Sequence, residues 1–461
     1  MATITLTSEV FKVNSSDTLQ FIITLTKKSG TDESYTFLQK NLIVVDTGEL
    51  EQSFSLDDLL LVPANYSFKI GDKDGYLRGL IFKNAYVPFD SDIYKQMLEV
   101  KLNGVTEFKG YFLEDALSCD NARMIVSLKA SSDIEILNDT SLYGDYEDAA
   151  GISGDDLYYN ALNPLGYTRG TIYPIGTILY DIFKKINPSL ASNVWANKLS
   201  VSPTDNALYC NCDRLYKGWS DIINSPDSVT TGLSVDYLNV NCSPMFFNNA
   251  AGFNNLGDIL RQISFDLGCY TGLIGNVKPF MKQLYKYDSV NAQSLGVVKS
   301  YTYNYKTNLI KYVTCSDKYP NASGTFNYEE KFTSGTLNTK DARKIEKTNL
   351  LSGWYNGTPG TPDLFVQTNL TAYYNNVGWA IFHAYDEFAV EYINVNQRTA
   401  DFWYYYRSKL EFNQIDSFEV SGVNYSFIRD FTYNGYKYQI VSIRKKFGID
   451  ATEIEAINLG V

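Results

Sequence analysis

Residues 97–137 read MLEVKLNGVTEFKGYFLEDALSCDNARMIVSLKASSDIEIL, and this stretch decides the class of fold. Apolar and charged residues alternate from Leu98 to Leu102, which predicts a strand with one buried face. Asn103 and Gly104 follow and predict a two-residue type I′ hairpin, because both positions of that turn need a positive φ. The return strand is predicted over Phe108–Glu114. The stretch therefore predicts an antiparallel sheet in this part of the chain.

Strand patterns continue on both sides of this hairpin. A third strand is predicted over Met124–Leu128, and earlier strands over Thr3–Thr7 and Phe21–Leu25, where β-branched and aromatic residues are frequent. Near the other end of the chain, a second Asn-Gly turn is predicted at 434–435 and a closing strand over Ala451–Leu459. We expect two hairpin-rich sheets, one near residue 100 and one near residue 440.

Two amphipathic helices are predicted between these sheets. The first lies near 174–187, where Pro174 opens the helix and apolar residues recur at helical spacing. The second lies near 255–267, and Gly268 ends it. A further helix is predicted around 399–410. The fold class is therefore mainly β with an α+β insertion.

Composition narrows the class of protein. The chain has 461 residues, of which 44% are hydrophobic and 20% charged, and this is typical of a globular protein with several domains. The 37 Tyr and 26 Phe residues fit either strands alone or strands that also form wet protein interfaces. The net charge is −12, and the triplet Arg444-Lys445-Lys446 is predicted to lie on the solvated face of a strand. This balance argues against sequence-specific binding of nucleic acid and against anionic membranes.

The sequence shows no targeting signal. Its first residues lack the basic and apolar regions of a signal peptide, and its apolar runs are too short to anchor the chain in a membrane. The six cysteines are scattered rather than grouped as a disulfide framework. We therefore expect reduced thiols and synthesis in a cytoplasm.

Motifs for catalysis are weak. The single histidine, His383, is either a general base or a packed side chain on an apolar segment, and we favour the second interpretation. Two adjacent carboxylate pairs, Glu329-Glu330 and Asp386-Glu387, could belong to a glycosidase. Neighbouring side chains in a strand point to opposite faces, however, so neither pair is singled out. No catalytic residue is assigned.

Motifs for metal binding are equally weak. Cys210 and Cys212 could offer two thiolates to zinc, but a structural site needs four ligands. The segment 72–75 begins like a calcium loop and lacks the later acidic ligand, so a plain turn is favoured. The acidic loop 139–156 either binds calcium or is simply solvated. No metal ligand, cofactor or cofactor-binding residue is assigned.

Several of these segments together resemble one family. The hairpin with Phe108 and Gly110, the long strand, and the spacing from Ala130 to Leu137 resemble the tube-forming domain of bacteriophage tail hub proteins. The segments TIYPIGTILYDIFKKI and NLGDILRQISFDLGCYTGLIGNVKPF are similar to helices and a hairpin of the same proteins. The ending FTYNGYKYQIVSIRKKFGIDATEIEAINL is similar to the closing strands of their second tube-like domain. The family is the baseplate hub and tail-associated protein family, which includes the hubs of contractile tails, the N-terminal part of siphophage tail-associated proteins and the hub part of type VI secretion spikes.

The resemblance implies an architecture. It implies two tube-like β-barrel domains plus a smaller mixed domain that contains the two amphipathic helices. The predicted limits are 1–137 for the N-terminal region with the first barrel and 138–290 for the insertion. The second barrel is predicted over 291–461, with a mixed insertion near 335–412.

The resemblance also implies a role in assembly and no enzyme activity. Members form homotrimers whose pseudo-sixfold ring joins the tail tube to the spike or tip and lets DNA pass. The implied partners are other copies of the chain, tail tube or distal tail proteins, and a spike or tip protein. The implied location is the virion tail, assembled in the bacterial cytoplasm. Because the sequence stops at Val461, we expect any activity of the tip to come from a separate chain.

Two other functions fit the same composition. Exposed aromatic side chains would stack on sugars in a receptor- or glycan-binding tail protein. A carbohydrate-degrading enzyme would instead need two carboxylates at a set separation, which the sequence does not identify.

Overall fold

A computed structural model describes a large part of the chain. The described residues are 2–27, 29–56, 59, 62–81, 96–113, 117–132, 134–140, 173–186, 209–211, 241–242, 255–274, 278–289, 291–304, 310, 312–320, 326–335, 344–349, 383–385, 392–394, 402–409 and 411–461.

Strands dominate the described residues. The first ten are β1 Ala2–Thr7, β2 Phe11–Lys12, β3 Thr18–Lys27, β4 Glu33–Thr36, β5 Leu42–Ser53, β6 Val62–Asp72, β7 Gln96–Leu102, β8 Val105–Phe112, β9 Ser118–Asp120 and β10 Ile125–Ser132. The middle of the chain adds β11 Tyr173–Pro174, β12 Tyr209–Asn211, β13 Asn241–Cys242, β14 Cys269–Ile274 and β15 Lys278–Gln283. The last ten are β16 Val298–Asn304, β17 Tyr312–Pro320, β18 Phe326–Gly335, β19 Lys344–Asn349, β20 His383–Tyr385, β21 Tyr392–Asn394, β22 Ile415–Ser421, β23 Phe431–Tyr433, β24 Tyr436–Lys446 and β25 Ala451–Asn458.

Helices are few and short. They are α1 Tyr76–Ile81, α2 Glu135–Asp139, α3 Ile175–Ile186 and α4 Leu256–Leu267, with a further helical segment at 402–407 and 3₁₀ turns at Leu38–Lys40 and Glu411–Asn413. The two predicted amphipathic helices are confirmed as α3 and α4. Asn255 caps α4 by accepting a hydrogen bond from the Asp258 N–H, and Gly268 ends it in the left-handed conformation. The prediction of a mainly β chain with a few helices is confirmed.

One large sheet contains most of the strands from both ends of the chain. Its order is β16-β22-β25-β24-β5-β6-β10-β8-β7-β3-β1-β4, and β2, β9 and β23 pair at its side. Strand β5 pairs with β6 on one edge and with β24 on the other, so the N-terminal and C-terminal strands form a single surface. Within the described residues this path closes into no barrel, because it ends on β16 at one side and β4 at the other.

Both predicted Asn-Gly turns have the backbone that their sequence requires. Asn103 and Gly104 have φ values of 53° and 79° between β7 and β8. Asn434 and Gly435 have φ values of 50° and 84° between β23 and β24. Positive φ at both positions is the type I′ pattern, which matches the twist of the flanking strands. The segment after β10 forms α2 at residues 135–139.

Two hydrophobic clusters lie mostly on one face of the large sheet. One lies among the N-terminal strands and centres on Phe21, Tyr66 and Phe108. The other joins the C-terminal strands to α3 and α4 and contains the buried Trp403, whose indole N–H donates to the Phe265 carbonyl at 2.9 Å. Smaller sheets, β11-β13, β12-β15-β14, β18-β17-β19 and β20-β21, lie outside the large one.

In the described part of the chain, no helix is both long enough and apolar enough to cross a bilayer.

Candidate assembly surface

The second face of the large sheet is mainly polar, although Ile43 is exposed on it and Gln439 and Ile457 are buried on it. Burial alternates along the strands, as in β1, β3, β7 and β22, so every other side chain points away from the hydrophobic clusters. The register of the pairs carries this face from strand to strand: Ser300 lies beside Glu419, Arg444 beside Glu51, and Thr5 beside Ser34. We call this surface the polar face. It runs from β16 to β4 and is mostly polar.

Carboxylates are concentrated on the C-terminal half of the polar face. Glu49 and Glu51 of β5, Glu419 of β22, and Glu453 and Glu455 of β25 lie here. A shallow depression of about 350 Å³ lies among Glu51, Glu419, Glu453 and Glu455.

Arg444 stands at the centre of these carboxylates. Its guanidinium nitrogens lie 3.3 Å from Glu51 Oε2, 3.7 Å from Glu453 Oε2 and 3.9 Å from Glu49 Oε2. Hydrogen bonding to Glu51 raises the pKa of Arg444. The cation links three strands, although ion pairs this exposed each contribute only about 0–1 kcal/mol to stability.

Lysines occupy the middle of the polar face. Lys69 of β6 pairs with Asp46 at 3.9 Å, and Lys129 of β10 lies beside Ser67 in the register. Lys101 of β7 lies 3.7 Å from Glu99 on the same strand. The polar face therefore has an acidic part and a mixed part rather than one uniform charge.

The predicted solvated triplet at 444–446 divides between the two faces. Arg444 and Lys446 lie on the polar face as predicted, but Lys445 is 2% exposed. Its ammonium group contacts Glu107 of β8. The prediction was wrong for Lys445 because period-two alternation turns the middle residue inward, and the carboxylate that receives it lies far away in the sequence.

A second buried ion pair holds the middle of the chain to the C-terminal strands. Lys282 of β15 and Asp430 are both fully buried, with Nζ 2.5 Å from Oδ1. Lys282 also donates to the Ile428 carbonyl at 2.8 Å, and Asp430 accepts from the Asp288 N–H at 2.7 Å. Burial raises the pKa of Asp430, and the charge of Lys282 opposes this effect. Nothing in the sequence pairs these residues, because their contact depends on the tertiary fold.

The two end strands of the sheet present free edges. Among the described strands, β16 pairs with β22 only, and all but the first of its residues are exposed. At the other end, β4 pairs in parallel with β1 only, within the same part of the chain. An unpaired edge is a ready template for another strand, so these two edges are candidate contact sites.

Tyrosines cluster beside the β16 edge. The hydroxyls of Tyr301 and Tyr438 both donate to Asp416 Oδ2 at 2.9 Å. Burial raises the pKa of Tyr438 far above its ordinary value, so its hydroxyl stays a donor. The Tyr301 ring lies 5.3 Å from that of Tyr433 and 6.4 Å from that of Tyr303, which is 56% exposed.

Among the described residues, the weak catalytic candidates lie in two different sheets. His383 opens β20, which pairs with β21, and Glu329 and Glu330 lie in β18 opposite Lys318 and Asp317. The pair at 386–387 lies outside the described residues.

The weak metal candidates lie only partly within the described residues. Cys210 lies in β12, whereas Cys212 and positions 141–156 of the acidic loop lie outside the described residues. Asp72 is buried and accepts from the Arg78 N–H at 2.8 Å, and Asp74 accepts from Asn41 at 2.5 Å, which fits a plain turn. Among the residues that the structure describes, no group of three His, Cys, Asp or Glu side chains could hold a metal ion.

Comparison with known proteins gives structural similarities only. No family model matches the sequence, and no curated protein matches it. Among solved structures, the chain is similar to the 43 kDa tail protein of prophage MuSo2 from Shewanella oneidensis, with 10% identity, a TM-score of 0.42, and coverage of 91% of this chain and 97% of that one. The chain is also similar to the prophage tail protein gp18 from Listeria monocytogenes, with 14% identity, a TM-score of 0.36, and coverage of 89% of this chain and 88% of that one. A third similar structure is a tail protein from Neisseria meningitidis, with 8% identity, a TM-score of 0.40, and coverage of 90% of this chain and 94% of that one. All three are tail proteins, the class that the sequence resembles; their TM-scores lie below 0.5, so the function proposed next rests on the chain's own sequence and geometry.

Proposed function

We propose that this chain is a structural subunit of a phage tail, a hub that assembles as a homotrimeric ring between the tail tube and the spike or tip. The observation that carries the proposal is the open sheet, whose two end strands both have a free edge within the described residues. A surface with two different free edges favours head-to-tail association, and such contacts close into a ring when the rotation permits. The hub-like segments of the sequence support the same role.

The polar face suggests how the ring is oriented. Most residues of the hydrophobic clusters lie on the other face, whereas Glu51, Ser300 and Glu455 of the polar face are exposed. We infer that this face lines the lumen. Its carboxylates would repel the phosphates of passing DNA, which lowers the cost of sliding because the wall forms few attractive contacts.

Ring assembly is expected to be visible in solution. Light scattering of the purified chain should give the mass of three copies, and negative-stain images should show particles with an open centre. The trimer should persist in high salt, because burial of strand edges and apolar area depends less on ionic strength than surface charge does. A compact monomer at every concentration that the protein tolerates contradicts the ring.

A second function is favoured by the tyrosines beside β16. Rings of Tyr301, Tyr303 and Tyr433 lie close together, and Tyr436 is 44% exposed, so this patch could stack on a sugar. A receptor- or glycan-binding protein would bind cell-surface polysaccharide as an isolated chain, and Tyr303→Ala should weaken that binding. Tyr180→Ala, on α3, is a matched control distant in sequence. A hub without receptor function shows no polysaccharide binding in either variant.

A further inference from the structure

The two ends of the large sheet run in the same direction. Ten successive antiparallel pairings lead from β16 to β1, and an even number of reversals leaves those two strands parallel. The last pairing, of β1 with β4, is itself parallel. Rotation about a ring axis keeps the direction of every strand along that axis. If the sheet wraps the axis at one constant strand tilt and β16 of one copy meets β4 of the next, the new pair is therefore parallel.

The sequences of the two end strands match under a parallel alignment. Strand β4 reads Glu33-Ser34-Tyr35-Thr36, and β16 contains Lys299-Ser300-Tyr301-Thr302. Three positions are identical, and the fourth has opposite charges. Like side chains at equivalent positions of neighbouring strands are a common way to fix register.

The faces of the two strands also agree. Ser34 lies beside Thr5, and Ser300 beside Glu419, so both serines belong to the polar face. Tyr35 lies beside the buried Leu6, and Tyr301 beside the buried Phe418, so both tyrosines belong to the apolar side. A slip of one residue would place tyrosine against serine on each face. A slip of two residues keeps the faces but separates the opposite charges.

The charged residues at the start of each strand favour the unshifted register. Lys299 is exposed at the irregularity in the register of β16, between Val298 and Ser300, and no described carboxylate pairs with it. Glu33 accepts from Lys27 at 2.6 Å and from the Tyr35 hydroxyl at 3.1 Å. A carboxylate has about four acceptor positions, so Glu33 keeps capacity for a second cation. Because Lys27 lowers the pKa of Glu33, this side chain stays negative at neutral pH.

The outer edge of β4 already holds a substitute for a neighbouring strand. The Phe37 N–H donates to Thr7 on β1, so the preceding N–H, that of Thr36, points to the opposite edge. There it donates to the side-chain oxygen of Gln39 at 2.8 Å. This amide oxygen occupies the place that a carbonyl of an incoming strand would take, and it would be displaced on pairing.

We propose that the ring closes by parallel pairing of β4 from one copy with β16 of the next, with Ser34 beside Ser300 and Glu33 beside Lys299. The occupant of each free edge is thus a second copy of this chain. The inference rests on the proposed hub function and specifies its interface. The sheet would then continue from copy to copy around the lumen.

Disulfide trapping tests the register in the full-length chain. In the double variant S34C/S300C the two Cα atoms would lie about 4.8 Å apart across the interface, within the range that a disulfide spans. Mild oxidation should link the copies into covalent trimers on non-reducing gels, and each single variant should stay unlinked. The matched control S34C/T302C shifts one cysteine by two residues, to about 8 Å, and should not be linked efficiently.

Light scattering of the same samples separates the two proposals. Trimers that form without linkage of S34C/S300C overturn the strand pairing and leave the hub function standing. Equal linkage of the control overturns the register. A chain that stays monomeric and unlinked up to its solubility limit overturns both. Covalent species of more than three copies support the pairing and contradict threefold closure.

Charge reversal gives an independent measurement. K299E should weaken association about threefold for each interface, as expected when an exposed ion pair becomes a repulsion. Combination with E33K should restore most of the affinity, because the opposite charges return with exchanged positions. Loss of affinity in K299E with no recovery in the double variant overturns the contact of Glu33 with Lys299. K101E, on the polar face away from both end strands, controls for net charge.

Discussion

Lys282→Met is expected to lower the free energy of unfolding by about 3–5 kcal/mol, the largest effect that we predict for a single side chain. The variant leaves the carboxylate of Asp430 fully buried without its cation. It also removes the donor to the Ile428 carbonyl. Urea unfolding followed by tyrosine and tryptophan fluorescence measures the change through the midpoint of the transition.

The double variant K282M/D430N separates the buried charge from the lost packing. The asparagine side chain that D430N introduces is neutral and still offers an oxygen to the Asp288 N–H, so most of the stability should return. Buried ion pairs are costly to break and comparatively cheap to replace as a pair. Equal destabilisation of the single and double variants would show that the charge is not the cause.

The pH dependence of K282M has a definite sign. Burial already raises the pKa of Asp430, and loss of Lys282 raises it further. The folded variant therefore binds a proton more tightly than the unfolded chain, whose Asp pKa is about 3.9. The loss in free energy of unfolding relative to the parent protein should be largest at neutral and alkaline pH. It should shrink as pH falls through the raised pKa that Asp430 has in the folded variant. A deficit that does not change between neutral pH and about pH 5 contradicts this account.

Gly48→Ala should disrupt the sheet where its two halves meet. Gly48 has a φ of 73°, and a Cβ added there would lie 1.7 Å from the Ser67 carbonyl oxygen. The left-handed conformation alone costs about 1–2 kcal/mol for a residue other than glycine, and the clash with backbone adds to it. We expect a loss of at least about 3 kcal/mol, since β5 must move away from β6 or lose its irregular register at this point.

Gly435→Ala is the matched control for this substitution. Its φ of 84° imposes a similar conformational cost, but nothing lies within 4 Å of the added Cβ. The difference in thermal midpoint between the two variants therefore measures the backbone clash. If both variants lose the same stability, contact with Ser67 plays no part.

Local features of the fold could be predicted, and distant pairings could not. The turn at Asn103-Gly104 was predictable because its two residues are among the few that tolerate the required φ. Helices α3 and α4 were predictable because their apolar residues recur at helical spacing. The pairing of β5 with β24 has no local signal, since it depends on which edges remain free after each hairpin has formed.

The candidate surface likewise has local features that could be predicted and distant contacts that could not. Alternation in β1, β3 and β7 predicts that one face is polar, but only the register shows that these faces join. Lys445 looked solvated because charged residues flank it, and its partner Glu107 lies 338 positions earlier. The resemblance likewise implied two tube-like barrels, whereas the described strands form an open path that ends on β16 and β4.

Strand β5 is synthesised long before β24, the strand with which it pairs. Glu51 of β5 and Arg444 of β24 are separated by 393 positions. The edge of β5 that pairs with β24 therefore stays unpaired during most of translation. At typical rates of about 5–20 residues per second this delay is about 20–80 s. An unpaired strand invites mispairing with other nascent chains, and charged side chains on it are a known defence. Asp46, Glu49 and Glu51 place such charge on β5, so we expect these carboxylates to oppose mispairing while the polypeptide is still being synthesised.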